Sequence, residues 1–156
     1  MRETLFNWLG QDLSGRHCLD LFAGSGALGM EAASRGAEKV TMVEKNRNVF
    51  HALQENVRKL GFGNIAMFNE DGLNFVRRAE VATQNSREKY DVIFLDPPFS
   101  SDYLQKLLPQ LGALLKEEGL LYVESGNELE YGASWEIYKQ GRAGAVIYQL
   151  LKLKTT

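Results

Sequence analysis

The sequence holds one cysteine, so no disulfide can form within the chain, and the place of Cys18 in an apolar run marks it as a small buried hydrophobe rather than a reactive thiol. Only three prolines occur, and no Pro/Gly-rich linker, repeat or low-complexity tract divides the chain. The two histidines, His17 and His51, have no partner motif and are assigned no catalysis. Positive charge is also in short supply. Eighteen Lys and Arg stand against twenty Asp and Glu, a net charge of −2, so bulk charge does not mark a nucleic-acid binder and any polyanion must meet a local patch. No apolar run approaches the roughly 18 residues of a membrane span. The first ten residues carry charges and stop at Gly10, without the apolar core of a signal peptide. These absences read as a cytoplasmic protein with no membrane partner.

What is present is ordinary globular composition, 44% hydrophobic and 24% charged over 156 residues. That length predicts one domain, 1–156, which buries about 68–70% of the surface of its unfolded chain and needs no metal or cross-link for stability. Short β-rich runs at 17–22, 39–43, 64–68, 90–95 and 119–123 alternate with helical stretches. The clearest helix spans 46–60, with Val49, Phe50, Leu53, Val57 and Leu60 on one stripe and Gly61 as its stop. Arg2–Leu9 reads as a helix packing Leu5, Trp8 and Leu9 onto the sheet. Beyond residue 124, alternating runs at 134–140 and 145–153, joined by Gly141-Arg142-Ala143-Gly144, read as a β-hairpin. The expectation is an α/β fold: a parallel sheet covered on both faces, ending in an antiparallel hairpin.

Chemistry concentrates at strand ends. Gly24, Gly26 and Gly29 spell G-x-G-x-x-G after the first strand, a turn that lets backbone approach a nucleotide-like ligand. Twenty residues past Gly24, Glu44 stands where a carboxylate accepts both hydroxyls of an adenosine ribose. Asp71, followed by Gly72, can accept from an adenine amino group. Read blandly, the glycines make a tight turn and the carboxylates are solvated loop residues; their combination outweighs that reading. Asp20, just before the loop, would serve a pyrophosphate poorly but suits the sulfonium and ammonium of S-adenosylmethionine. The candidate cofactor-binding residues are Asp20, Phe22, Ala23, Gly24, Ser25, Gly26, Glu44, Lys45, Asp71 and Gly72.

The second constellation is Asp96-Pro97-Pro98-Phe99 at the end of the fourth strand. Two prolines remove two amide donors, so the turn presents the Asp96 carboxylate and Pro97 carbonyl as acceptors, and Phe99 offers a face on which a base can stack. Such a corner takes an amino group. Asp96, Pro97, Pro98 and Phe99 are the candidate catalytic residues, and no metal is required. Arg2, Lys139, Arg142, Lys152 and Lys154 are cations to watch for phosphate contacts, although solvated surface is the preferred reading of each, and Arg77-Arg78 reads as a helix face.

Asp20–Gly29, Glu44, Asp71 and Asp96–Phe99, in this order, resemble the S-adenosylmethionine-dependent amino-methyltransferases. More narrowly, Arg2-Glu3-Thr4-Leu5-Phe6-Asn7-Trp8-Leu9, Leu19–Gly29, Phe94-Leu95-Asp96-Pro97-Pro98-Phe99 and the last strand with Tyr148 are similar to the bacterial small-subunit ribosomal RNA guanine 2-amino methyltransferases. The resemblance implies a Rossmann-like class I methyltransferase fold with seven strands. It further implies S-adenosylmethionine as cofactor with S-adenosylhomocysteine as product, and ribosomal RNA, free or in a small-subunit particle, as partner of a monomer. That family carries a basic, glycine-containing segment before Arg-Glu-Thr-Leu-Phe, which this sequence is read as lacking. Adenine or cytosine amines and a protein glutamine remain alternatives for the same turn. Outside that class stand a nicotinamide dehydrogenase, which leaves Asp96–Phe99 unexplained, and a cofactor-binding module without catalysis.

Overall fold

The computed structural model describes residues 1–82, 89–96, 101–127 and 129–154. Along the chain these form α1 (Arg2–Leu9), β1 (His17–Asp20), α2 (Ala27–Ser34), β2 (Lys39–Val43), α3 (Arg47–Leu60), β3 (Ile65–Phe68), α4 (Gly72–Ala82), β4 (Tyr90–Leu95), α5 (Ser101–Leu111), β5 (Leu115–Ser125), β6 (Trp135–Ala143) and β7 (Val146–Leu153). Seven strands make one sheet in the order β3-β2-β1-β4-β5-β7-β6. The first five are parallel, and β7 runs antiparallel to both β5 and β6. The chain walks outward from β1 to β3, then crosses back to β4, so the strand order reverses between β1 and β4. A crevice at the carboxyl ends of strands opens at such a reversal.

Both faces of the sheet are covered. On one, Leu19, Val43, Ile93, Leu95 and Leu121 pack with Phe75 and Val76 of α4 and Leu107 and Leu111 of α5. On the other, Cys18, Val40, Met42, Phe94, Tyr122 and Leu150 meet Leu5 and Phe6 of α1, Ala32 and Ala33 of α2 and Leu53 and Val57 of α3. Burial pushes the Cys18 thiol up to about 12, which leaves it protonated and inert. At the amino ends of the strands, Asp91 accepts from the His17 amide at 2.8 Å and pairs with Lys116 at 3.1 Å, tying β1, β4 and β5 together opposite the crevice.

Several boundaries differ from the expectation. Strand β1 ends at Asp20, because Leu21 and Phe22 leave the ladder to enter the loop. Strand β5 starts earlier, at Leu115, and accommodates Glu118 at φ 65° through a register irregularity against β4. Asn46 caps α3 by accepting from the Val49 amide, and Gly61 at φ 72° ends it. Its buried stripe is narrower than expected, with Phe50, Leu53 and Val57 inside but Val49 and Leu60 36% and 56% exposed. In α1 it is Phe6, not Trp8, that joins Leu5 in full burial, while Trp8 stacks on Tyr148 at 5.4 Å. Gly141 and Arg142 belong to β6 rather than to the turn, since the hairpin reverses later, at Gly144-Ala145.

Candidate active site

The five parallel strands each deliver a carboxylate to one end of the sheet. In spatial order these are Asp71 after β3, Glu44 after β2, Asp20 closing β1, Asp96 after β4 and Glu124 near the end of β5. At about 4.8 Å between neighbouring strands, the row spans about 19 Å. The glycine loop lies over its middle, between β1 and α2.

That loop is held from several sides. The Ala23 amide donates to the Val43 carbonyl at 2.9 Å, and the Gly26 amide to the Ala23 carbonyl at 2.8 Å. Glu44 reaches across from β2: one oxygen accepts from the Gly24 amide and the other from the Asn46 amide, each at 2.9 Å. A carboxylate has about four acceptor positions, so Glu44 keeps capacity for a ligand hydroxyl while fixing the loop. The glycines divide the work. A Cβ on Gly26 would lie 2.3 Å from Leu53 Cδ1, and one on Gly29 2.4 Å from Met42 Cε, so both let α2 settle closely on its neighbours. Gly24, at φ 57°, has nothing within 4 Å of its Cβ position, so this part of the loop faces open space.

Asp20 is 4% exposed, and its Oδ2 accepts from the Gly29 amide at 3.1 Å. The residue capping α2 is Gly26, which has no side chain to accept from the first turn, and Asp20 supplies that acceptor from β1 instead. Burial pushes its carboxyl up to about 7; the Gly29 bond works against this, and the charges of Asp96, Glu44 and Glu124 add to it. Asp71 is half-buried, and its Oδ1 accepts from the Leu73 amide at 3.0 Å at the start of α4. Phe22 packs over Gly72, where a Cβ would come within 3.1 Å of the ring, so the loops after β1 and β3 are in contact. Ser25 and Lys45 are exposed.

Asp96 is exposed at the lip, and its carboxyl is raised above the ordinary range by the desolvation it does undergo there. Pro97, Pro98 and Phe99 lie outside the described residues. Three side chains at this end escaped the sequence reading. Asn69 Nδ2 donates to the carbonyls of Glu44 at 2.9 Å and Lys45 at 3.1 Å, holding the β2 exit. Glu124 follows Val123, the partner of Leu95 on the next strand, and the buried Tyr122 lies two residues before it on the same face, holding its carboxyl down against the rise that burial imposes. Glu124 directly follows the run 119–123, as Glu44 follows 39–43, so the rule that chemistry sits at carboxyl strand ends would have found it if applied to the fifth strand.

The terminal and hairpin cations fall at different ends of the sheet. Arg142 pairs with Ile147, which pairs with Ser125, and so lies at the active end of the sheet; Lys152 lies opposite Glu136, towards the other end. Arg78 is engaged with Glu70 and lies over Phe68 and Phe75, so it holds α4 against the β3 exit. A wide depression of about 700 Å³ opens at the amino ends of the strands, lined by His17, Lys39 and Lys116 among others, away from the carboxylate row. Among the described residues no group of His, Cys, Asp and Glu is placed to hold a metal ion, and no helix is long and apolar enough to cross a membrane.

Residues 1–152 match the protein family described as Conserved hypothetical protein 95. The chain is 39% identical over 157 residues to the ribosomal RNA small subunit methyltransferase D of Escherichia coli strain K12, an alignment covering 96% of this chain and 75% of that protein. A solved methyltransferase structure from Escherichia coli overlays it with TM-score 0.84 at 35% identity, covering 98% of this chain and 84% of the other. A SAM-dependent methyltransferase from Agrobacterium tumefaciens follows at TM-score 0.67 and 26% identity, over 79% of this chain and 42% of that one. The family match over residues 1–152, the 39% identity and the overlay of the fold place the chain in the family of the ribosomal RNA small subunit methyltransferase D.

Proposed function

We propose that this chain transfers a methyl group from S-adenosylmethionine to the exocyclic 2-amino group of a guanine in small-subunit ribosomal RNA. The observation that carries the reading is the position of Asp96, one strand away from Asp20 and the glycine loop at the reversal of strand order. A cofactor held at the loop and an amine held at Asp96 are thereby neighbours.

The residues present suit that cofactor. Gly24 leaves open space over the loop, Glu44 keeps acceptor positions for ribose hydroxyls, and Asp20 offers a carboxylate towards cationic groups. Asp71 and Gly72 flank the adenine end, with Lys45 at the rim. When bound, S-adenosylmethionine supplies a methyl group activated by a sulfonium. The chain's own task is then orientation. A base amine has its lone pair delocalised into the ring and is a weak nucleophile. Asp96, with the Pro97 carbonyl as second acceptor from the sequence, draws on the two amine protons, localises the lone pair and receives the proton that methylation releases. Holding both partners in line is worth about 7–11 kcal/mol, against about 3 for one well-placed electrostatic contact, so alignment dominates. The target base is unpaired or flipped out, with Phe99 as its stacking partner.

The reading places one monomer on each target, in the cytoplasm, on RNA either free or assembled into a small-subunit particle. Arg142 and Arg2 are the cations proposed to meet its phosphates. The test is labelled methyl transfer to small-subunit RNA and to particles, followed by mapping of the product. N2-methylguanine at one site is the expected result; N6-methyladenine or N4-methylcytosine would overturn the choice of base.

A further inference from the structure

We propose that Glu124 reads the base: it accepts the N1–H of the guanine whose 2-amino group sits at Asp96, and thereby selects guanine over adenine and cytosine. This rests on the preceding reading of Asp96 as the amine acceptor. Strands β4 and β5 are parallel with Leu95 opposite Val123, so Asp96 and Glu124 are the residues that follow a paired position on neighbouring strands, and the charge of Asp96 acts on Glu124. Both follow the face that carries Phe94 and Tyr122, the same face as Asp20. Glu124 is positioned for the task. Tyr122, buried two residues back on β5, lies on the same face, and the cross-strand neighbour of Glu124 on β7 is Tyr148.

Two acceptor-only groups side by side call for two donors side by side. On the Watson–Crick edge of guanine, the 2-amino group adjoins N1–H, which is that pattern. Adenine and cytosine carry their amines next to a bare ring nitrogen, whose lone pair would face the Glu124 carboxylate. Sites built to hydrogen-bond a substrate group reject analogues lacking it strongly, because the protein group is left unpaired. The electrostatics agree. Desolvation raises both carboxyls, and the charge of Asp96 raises Glu124 further, with Tyr122 and the Met1 amino group acting the other way. Donors from the base would relieve that repulsion.

The experiment compares small-subunit RNA carrying guanine or 2-aminopurine at the mapped position. 2-Aminopurine keeps the 2-amino group and replaces N1–H by an acceptor. The full chain is expected to favour guanine at least 100-fold in kcat/KM. Glu124→Gln is expected to lose at least 30-fold on guanine and to narrow the preference at least tenfold, because the amide can donate to N1, with cofactor affinity held within threefold. Preference and rate within twofold of wild type in Glu124→Gln would overturn the role of Glu124 while leaving the guanine reading in place. Should Glu124→Gln lose cofactor binding, wild-type rates on the two bases decide alone, and rates within threefold of each other would overturn the proposal. A product mapped to adenine or cytosine would instead sink the guanine reading, and this one with it.

Discussion

Asp20 serves the fold and, in our reading, the ligand through one carboxyl group. Its Oδ2 caps α2 at Gly29, and its burial pushes the pKa to about 7, with the charges of Asp96, Glu44 and Glu124 acting the same way. Between pH about 4 and about 7 the folded chain therefore holds a proton on Asp20 that the unfolded chain has released. This group's stabilisation is complete below pH about 4 and is lost as pH rises through about 7. A cationic cofactor favours the ionised form, so binding expels that proton and tightens with pH up to about 7. Calorimetry with S-adenosylmethionine is expected to show affinity at least threefold tighter at pH 7.5 than at pH 5.5, and Asp20→Asn to flatten the dependence. An unchanged slope in Asp20→Asn would remove Asp20 from the ligand's field. The sequence made this position legible through its place before the glycine loop. It did not reveal the bond to Gly29, because a cap supplied from another element leaves no local spacing to recognise.

Elements were legible where the pattern is local and strong. Helix α3 declares itself by its stripe and by Gly61, while Asn46, read as its first residue, is its cap. The hairpin was found but its turn was misplaced, because Gly141 was read as turn punctuation. Its actual role is contact: a Cβ there would stand 2.4 Å from Tyr148 Cζ, so β6 passes over the ring with nothing between, while Trp8 of α1 stacks at 5.4 Å on the same tyrosine. One tyrosine thus joins the antiparallel edge to the amino-terminal helix. Gly141→Ala is expected to cost about 1–3 kcal/mol by overpacking. That lowers Tm by about 3–10 °C in a chain of this size, with cofactor affinity unchanged. A melting curve within 1 °C of wild type would contradict the tyrosine's bridging role. Phe6 was missed for a related reason: α1 is too short for a periodic stripe to separate the buried ring from the half-buried Trp8.

At the scale of the whole molecule, the parallel topology turns five separate stretches of sequence into one row of acceptors at one end of the sheet. Four of the five, Asp71, Glu44, Asp20 and Asp96, are legible in the sequence because each has a motif beside it: Gly72, the twenty-residue offset from Gly24, the glycine loop and the two prolines. Glu124 follows the run 119–123 in the same way but has no such motif beside it, so nothing local singles it out. The seven-stranded order with its antiparallel edge agrees with what the resemblance implied. The row explains why a chain of net charge −2 is suited to this work. In the proposed reaction both reactants bring donors or cations to the crevice, with the phosphates assigned to Arg142 and Arg2. The most direct measurement is the single-turnover rate of methyl transfer to small-subunit RNA at saturating cofactor, for wild type and Asp96→Ala. The account predicts a loss of at least 100-fold with the cofactor Kd within threefold of wild type; a rate within a few-fold of wild type would contradict it.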